Sequence, residues 1–150
     1  MRVVVVTGSR YWLHPAEVAR AIEGFDLVLV GDCPTGADLH ALEAANAVNQ
    51  PVQVFCADPQ RAKTLLTTWV RERRVNASVR VCADWVVDGN QAGPLRNHVL
   101  AVAAREYADC GNIVECHAFL LPESNGTRDC MRRLRRRGLI VVEHVAESQE

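Results

Sequence analysis

Apolar runs alternate along the chain with segments whose apolar positions recur at helical spacing. Val3-Val4-Val5-Val6 is β-branched, as in strands buried on both faces, and predicts a first strand from Arg2 to Thr7. The pattern then predicts a helix from Ala16 to Glu23, a strand from Asp26 to Val30, a helix from about Ala37 to Val48 and a short strand from Val52 to Phe55. Ala57 to Ser78 is polar and arginine-rich. Within it Thr64 to Arg74 reads as a helix with a solvated face, and Val79 to Cys82 follows as a short extended piece. The next helix, about Pro94 to Tyr107, opens on a proline tolerated in a first turn and should turn Leu95, Val99, Val102 and Ala103 to the core. Ile113 to Leu121 is strand, Pro122 to Gly126 a tight loop, and Thr127 the N-cap of a helix with Cys130, Met131 and Leu134 on one face. Gly138 stops that helix and Leu139 to His144 is a last strand. The alternation defines an α/β fold, a mainly parallel sheet of about five strands flanked by helices. It forms one domain over residues 1–145, with residues 146–150 a frayed tail.

In open parallel sheets ligands bind beyond the carboxyl ends of the strands. Four unusual loops fall at that edge. In the first, Gly8 permits close backbone approach, Ser9 can donate to an oxyanion and Arg10 can grip a phosphate bidentately, with Trp12 beside them. The second runs from Gly31 through Asp32, Gly36 and Ala37 to Asp38. Asp38 suits a helix start, and Asp32 on the loop itself can accept from a ribose hydroxyl. The third presents Gly93, Pro94, Arg96 and Asn97 at a helix start, where Arg96 is either a ligand residue or half of an ion pair. The fourth, Pro122-Glu123-Ser124-Asn125-Gly126-Thr127, joins strand to helix N-terminus, where free N–H groups and the helix dipole favour an anion.

Net charge is −1 and aromatic residues make up 5%, so neither a nucleic-acid interface nor an anionic membrane surface is favoured. The run from Arg132 to Arg137 carries no interleaved aromatics and reads as a solvated helix face. The six cysteines form no C-x-x-C pair, which points to free thiols in a reducing cytoplasm and to no metal site. No segment has the length of a membrane span, and no cofactor is expected.

Gly8-Ser9-Arg10 with Trp12, Gly36-Ala37-Asp38, Ala83-Asp84-Trp85, Ala92-Gly93-Pro94-Leu95-Arg96-Asn97 and Gly126-Thr127-Arg128-Asp129 together resemble the SLOG superfamily. That superfamily groups the SMF/DprA proteins with the LOG phosphoribohydrolases; the small YspA-type (YAcAr) branch is the most similar. The resemblance implies a Rossmann-like fold, a nucleotide or nucleotide-derived ligand and a homodimer. LOG enzymes carry Pro-Gly-Gly-x-Gly-Thr-x-x-Glu. Here Glu123 and Ser124 replace two glycines, and Cys130 stands at the glutamate position. Cleaving an N-glycosidic bond needs a carboxylate. Asp129 is one residue early and turned about 100° along a helix, leaving Glu123 and Asp32 as substitutes and Arg96 as anion holder. Three functions follow, in order: a nucleotide-binding sensor or carrier, a nucleoside 5'-monophosphate phosphoribohydrolase, and DprA-like single-stranded DNA binding.

Overall fold

The sheet is built outward from Arg2–Gly8 (β1), whose four valines are fully buried. In the computed structural model, which describes residues 1–146, six strands form one sheet in which every neighbouring pair is parallel. The frayed tail read at 146–150 lies, beyond Ala146, outside the described residues.

From β1 the chain passes through helix Pro15–Ile22 (α1) to Leu27–Gly31 (β2), and through Ala37–Ala47 (α2) to Val52–Cys56 (β3). It then runs through Pro59–Arg71 (α3) to the edge strand Ala77–Val81 (β4). The short helix Trp85–Asp88 (α4) and the long helix Ala92–Asp109 (α5) carry it back across the sheet to Ile113–Leu120 (β5), on the other side of β1. Asn125–Arg136 (α6) and Val141–Val145 (β6) complete the order β4-β3-β2-β1-β5-β6. The winding reverses between β1 and β5, where Val5 pairs with Cys116 and Gly8 with Phe119.

Alternate residues of β1 enter different cores. Val4 and Val6 pack with Val18 and Ile22 of α1, Ala41 of α2 and Leu65 of α3. Val3 and Val5 pack with Leu100 and Ala104 of α5 and with Cys130 and Leu134 of α6. A strand clamped from both sides has no polar face to spare, which is why its sequence is a continuous apolar run.

Four expectations change. The sheet has six strands, because the extended piece after α3 pairs with β3 in register, Val52 opposite Ala77. Helix α3 begins at Pro59, earlier than the expected Thr64, because Asp58 caps it by accepting from Gln60 N at 3.0 Å. Helix α6 begins at Asn125, so Thr127 lies inside the first turn and Ser124 takes the cap position. Helix α5 is rotated from the expected face: Leu100, Ala101, Ala103 and Ala104 are buried with Asn97, while Leu95 is exposed. Small alanines and the tethered Asn97 set that face, which a count of large apolar residues misses.

Candidate ligand-binding site

The carboxyl ends of β1 and β5 part at the reversal point, and a cleft of about 250 Å³ opens between their loops. Arg10 from the first loop, Asp38 from α2, Arg96 from α5 and Glu123 to Thr127 all line it, so elements from both halves of the fold share one wall. A second hollow of about 290 Å³ adjoins it, sharing Arg10, Cys33 and Arg96.

The β1–α1 loop is locked by Ser9. Its N–H donates to the Phe119 carbonyl at 2.9 Å, its carbonyl accepts from Ala37 N at 3.0 Å, and its hydroxyl accepts from Tyr11 N at 3.0 Å. Gly36 has φ +74° and its Cα faces the Ser9–Arg10 backbone so closely that a Cβ would overlap the Ser9 carbonyl. Only glycine lets α2 start against that loop.

Arg96 is the half-buried cation at the centre of the site. Its Nη1 lies 2.7 Å from Asp32 Oδ1, and its Nε donates to Asn97 Oδ1 at 2.9 Å. Asp38 flanks the same group: a Cβ on Gly31 would sit 2.7 Å from both Arg96 Nη1 and Asp38 Oδ2. Gly31 thus leaves room for one guanidinium between two carboxylates. Asp32 Oδ2 also accepts from Ala57 N at 2.9 Å, and Asp38 Oδ2 from Cys33 N at 3.3 Å. Burial pushes Asp32 above the ordinary carboxylate range while Arg96 pulls it down. Burial lifts Asp38 to about 6, against Arg96 and the Cys33 amide, with the Asp32 charge adding to the rise. Burial works against the charge on Arg96, and Asp38 and Asp32 outweigh it, so the guanidinium is held protonated.

On the α6 side, Asn97 Nδ2 donates to the Gly126 carbonyl at 3.3 Å and to Asp129 Oδ2 at 3.1 Å, tying α5 to the start of α6. Ser124 is buried, and its hydroxyl accepts from Leu121 N at 2.9 Å. It therefore closes the loop and leaves the first-turn amides of α6 uncapped by its side chain. Thr127 is buried at the cleft wall.

The sequence-predicted residues separate into groups. Gly8, Ser9, Arg10, Asp38, Arg96, Glu123, Ser124, Asn125, Gly126 and Thr127 line the first hollow, and Asp32 and Gly93 the second. Gly31, Gly36, Ala37 and Asn97 are buried supports behind the walls. Trp12 is core: it is 1% exposed, meets the Phe119 ring edge-on at 5.3 Å and donates its Nε1–H to the His14 carbonyl. Pro94 and Pro122 belong to neither wall. Asp129 turns away from both hollows to Arg133 Nε at 3.0 Å. Burial raises its pKa, but the bonds from Asn97 and Arg133 outweigh that and hold it below the usual carboxylate range. Cys130 is fully buried, and burial pushes its thiol up to about 11 against a hydrogen bond with Thr7. Asp58, Arg61 and Trp85 line the second hollow, although nothing in the local sequence marks them as wall residues. Asp58-Pro59 is a readable cap signal, and Trp85 stands in a motif already quoted; neither by itself says that β3 and β4 end beside Asp32.

The fold and cleft define the class: a Rossmann-like α/β protein with a polar cleft at the switch point of a parallel sheet. DNA processing protein A (DprA) from Streptococcus pneumoniae has this fold, with a TM-score of 0.54 and 17% identity over 95% of this chain and 58% of that one. The chain thus spans a little over half of DprA, and the likeness is one of fold. No family model matches the chain. It is 30% identical over 148 residues to the Gene 61 protein of Mycobacterium phage D29, covering 95% of each, and it belongs to the family of that phage protein.

Proposed function

We propose that the switch-point cleft binds a nucleotide or nucleotide-derived ligand, and that the protein acts as a sensor or carrier. The observation that carries this reading is the convergence of Arg10 with the first turn of α6 on one cleft. First-turn amides without a side-chain cap, the positive end of the α6 dipole and an exposed guanidinium together suit a phosphate. Arg96 is already matched by Asp32 and Asp38, so it orients the carboxylates, which in turn suit ribose hydroxyls. The resemblance to the YspA-type branch supports the same ligand class; a homodimer is proposed from the likeness to the LOG enzymes, and a cytoplasmic setting from the free cysteines.

A second reading is favoured by Asp38. LOG-type chemistry asks for a carboxylate where Cys130 stands; Asp38 lines the same cleft, and burial lifts it to about 6, which suits general acid–base work. In that reading water cleaves the N-glycosidic bond of a nucleoside monophosphate, releasing free base and ribose 5-phosphate.

The test is calorimetric titration with AMP, GMP, CMP and UMP, followed by assay for released base. Arg10 is the informative variant, since it is exposed and its loss leaves the fold intact, whereas removing Arg96 would strand two buried carboxylates. Arg10→Ala should weaken nucleotide binding about tenfold or more, the scale of one charge-assisted hydrogen bond. Unchanged affinity in Arg10→Ala, or no binding by wild type, would refute the assignment. Base release abolished by Asp38→Asn would establish the hydrolase reading instead.

A further inference from the structure

Two features lie away from the cleft, and a third adjoins it. A broad hollow of about 770 Å³ at the amino ends of the strands has Arg20, Glu23, Asp26 and Gln50 in its lining, but Asp26 and Gln50 are already bonded to backbone groups. The chain Glu115–His117–His144, with contacts of 2.7 and 2.8 Å, ends at the β6 edge with nothing to show what covers it. The hollow beside Arg96 carries more.

We propose that this second hollow is a nucleobase subsite in which Trp85 stacks on the base; the assignment rests on the nucleotide reading of the cleft beside it. Size is the first reason. Neither hollow alone, at about 250 and about 290 Å³, reaches the ~300–1,000 Å³ of small-molecule sites, but the two joined do. They meet at Arg10, Cys33 and Arg96, so one ligand can extend from the α6 amides across the Asp32–Arg96 pair into the second lobe.

Chemistry is the second reason. The other tryptophans are core, Trp12 at 1% and Trp69 at 5% exposure, whereas Trp85 is 48% exposed at a polar hollow. It is held on a braced turn: Asp84 Oδ1 accepts from Val86 N at 2.8 Å, and Asp84 N donates to Asp88 Oδ2 at 2.8 Å. An indole carried on a braced turn offers any base a stacking face. Around it stand Asp58, a carboxylate that can accept from an amino or ring N–H, and Arg61, whose guanidinium can donate to a ring nitrogen or carbonyl. Arg61 is steadied by its Nε–H donating to the Asp32 carbonyl at 3.3 Å. A flat aromatic platform with one acceptor and one donor at its rim matches a nucleobase, while a bare sugar phosphate would leave it unused.

The experiment uses intrinsic fluorescence and calorimetry on the full chain, with AMP, GMP, CMP, UMP, ribose 5-phosphate and inorganic phosphate as probes. Trp12 and Trp69 are buried, and the part of the quenching lost in Trp85→Phe reports Trp85. Nucleotides should quench the emission, and Trp85→Ala should weaken the preferred one about 5- to 150-fold, the span of one stacked base. Trp85→Phe should retain most of the affinity. Ribose 5-phosphate and phosphate should bind wild type and Trp85→Ala alike. If those two bind in an Arg10-dependent way while nucleotide affinity ignores Trp85→Ala, the base subsite is refuted and the cleft reading stands. Equal weakening of ribose 5-phosphate would also refute it, showing a general structural effect. If no probe binds, both assignments fall.

Discussion

At the residue scale, the site is governed by one guanidinium held between two buried carboxylates. Asp38 is 6% exposed and its pKa of about 6 lies above the unfolded 3.8. A raised folded pKa means the native state binds the proton more tightly. The resulting stabilisation is fully present below the unfolded pKa and is lost as pH rises through about 6. Relative to Asp38→Asn, wild type should therefore gain on the order of 1 kcal/mol as pH falls from 8 to 5. Urea unfolding of both proteins across that window checks the sign. A constant difference would mean that Asp38 does not take up its proton there. Ligand hydroxyls donating to the ionised carboxylates would bind less well over the same fall in pH.

At the element scale, the cleft depends on how closely α2 and the β1–α1 loop approach. Gly36 meets the Ser9–Arg10 backbone directly and has φ +74°, so Gly36→Ala combines a left-handed penalty with a steric overlap against main chain. We expect a loss of more than about 2 kcal/mol, the left-handed cost of ~1–2 kcal/mol being compounded by the overlap. Chemical denaturation measures it. Gly126→Ala, at a position with nothing within 4 Å of the added Cβ and inside the first turn of α6, should leave stability close to wild type. The contrast separates a glycine required by packing from one that merely belongs to a glycine-containing loop.

At the scale of the whole molecule, charge distribution bears on nucleic acid. The net charge is −1, and the α6 arginines are partly engaged: Arg133 with Asp129 at 3.0 Å and Arg135 with Glu143 at 3.1 Å. Among the described residues no helix is long and apolar enough to cross a membrane. Although the fold is shared with DprA, single-stranded DNA should bind with Kd in the ~10⁻⁴–10⁻⁶ M range of non-specific association, weakening steeply with salt. Fluorescence anisotropy at several salt concentrations tests this. Tight binding that persists at physiological salt would promote the DNA-binding reading over the nucleotide one.

The alternation of strand and helix, the parallel sheet and the edge at which the loops gather are all legible in the chain's local pattern. Val3 to Val6 read as a strand covered on both faces and Cys130, Met131 and Leu134 as the inner stripe of a helix, and all of them are buried. These are local periodicities, set by backbone geometry within a few residues. Tertiary structure alone decided which loop residues meet. It put Trp12 in the core, turned Asp129 toward Arg133 and paired Arg96 with Asp32 across 64 positions of sequence. It also brought Asp58, Arg61 and Trp85 beside Arg96, because α4 and α5 carry the chain from one edge of the sheet back past β2 and β3. Side-chain direction at a loop depends on the crossing of distant elements, and no short-range pattern in the chain records that crossing.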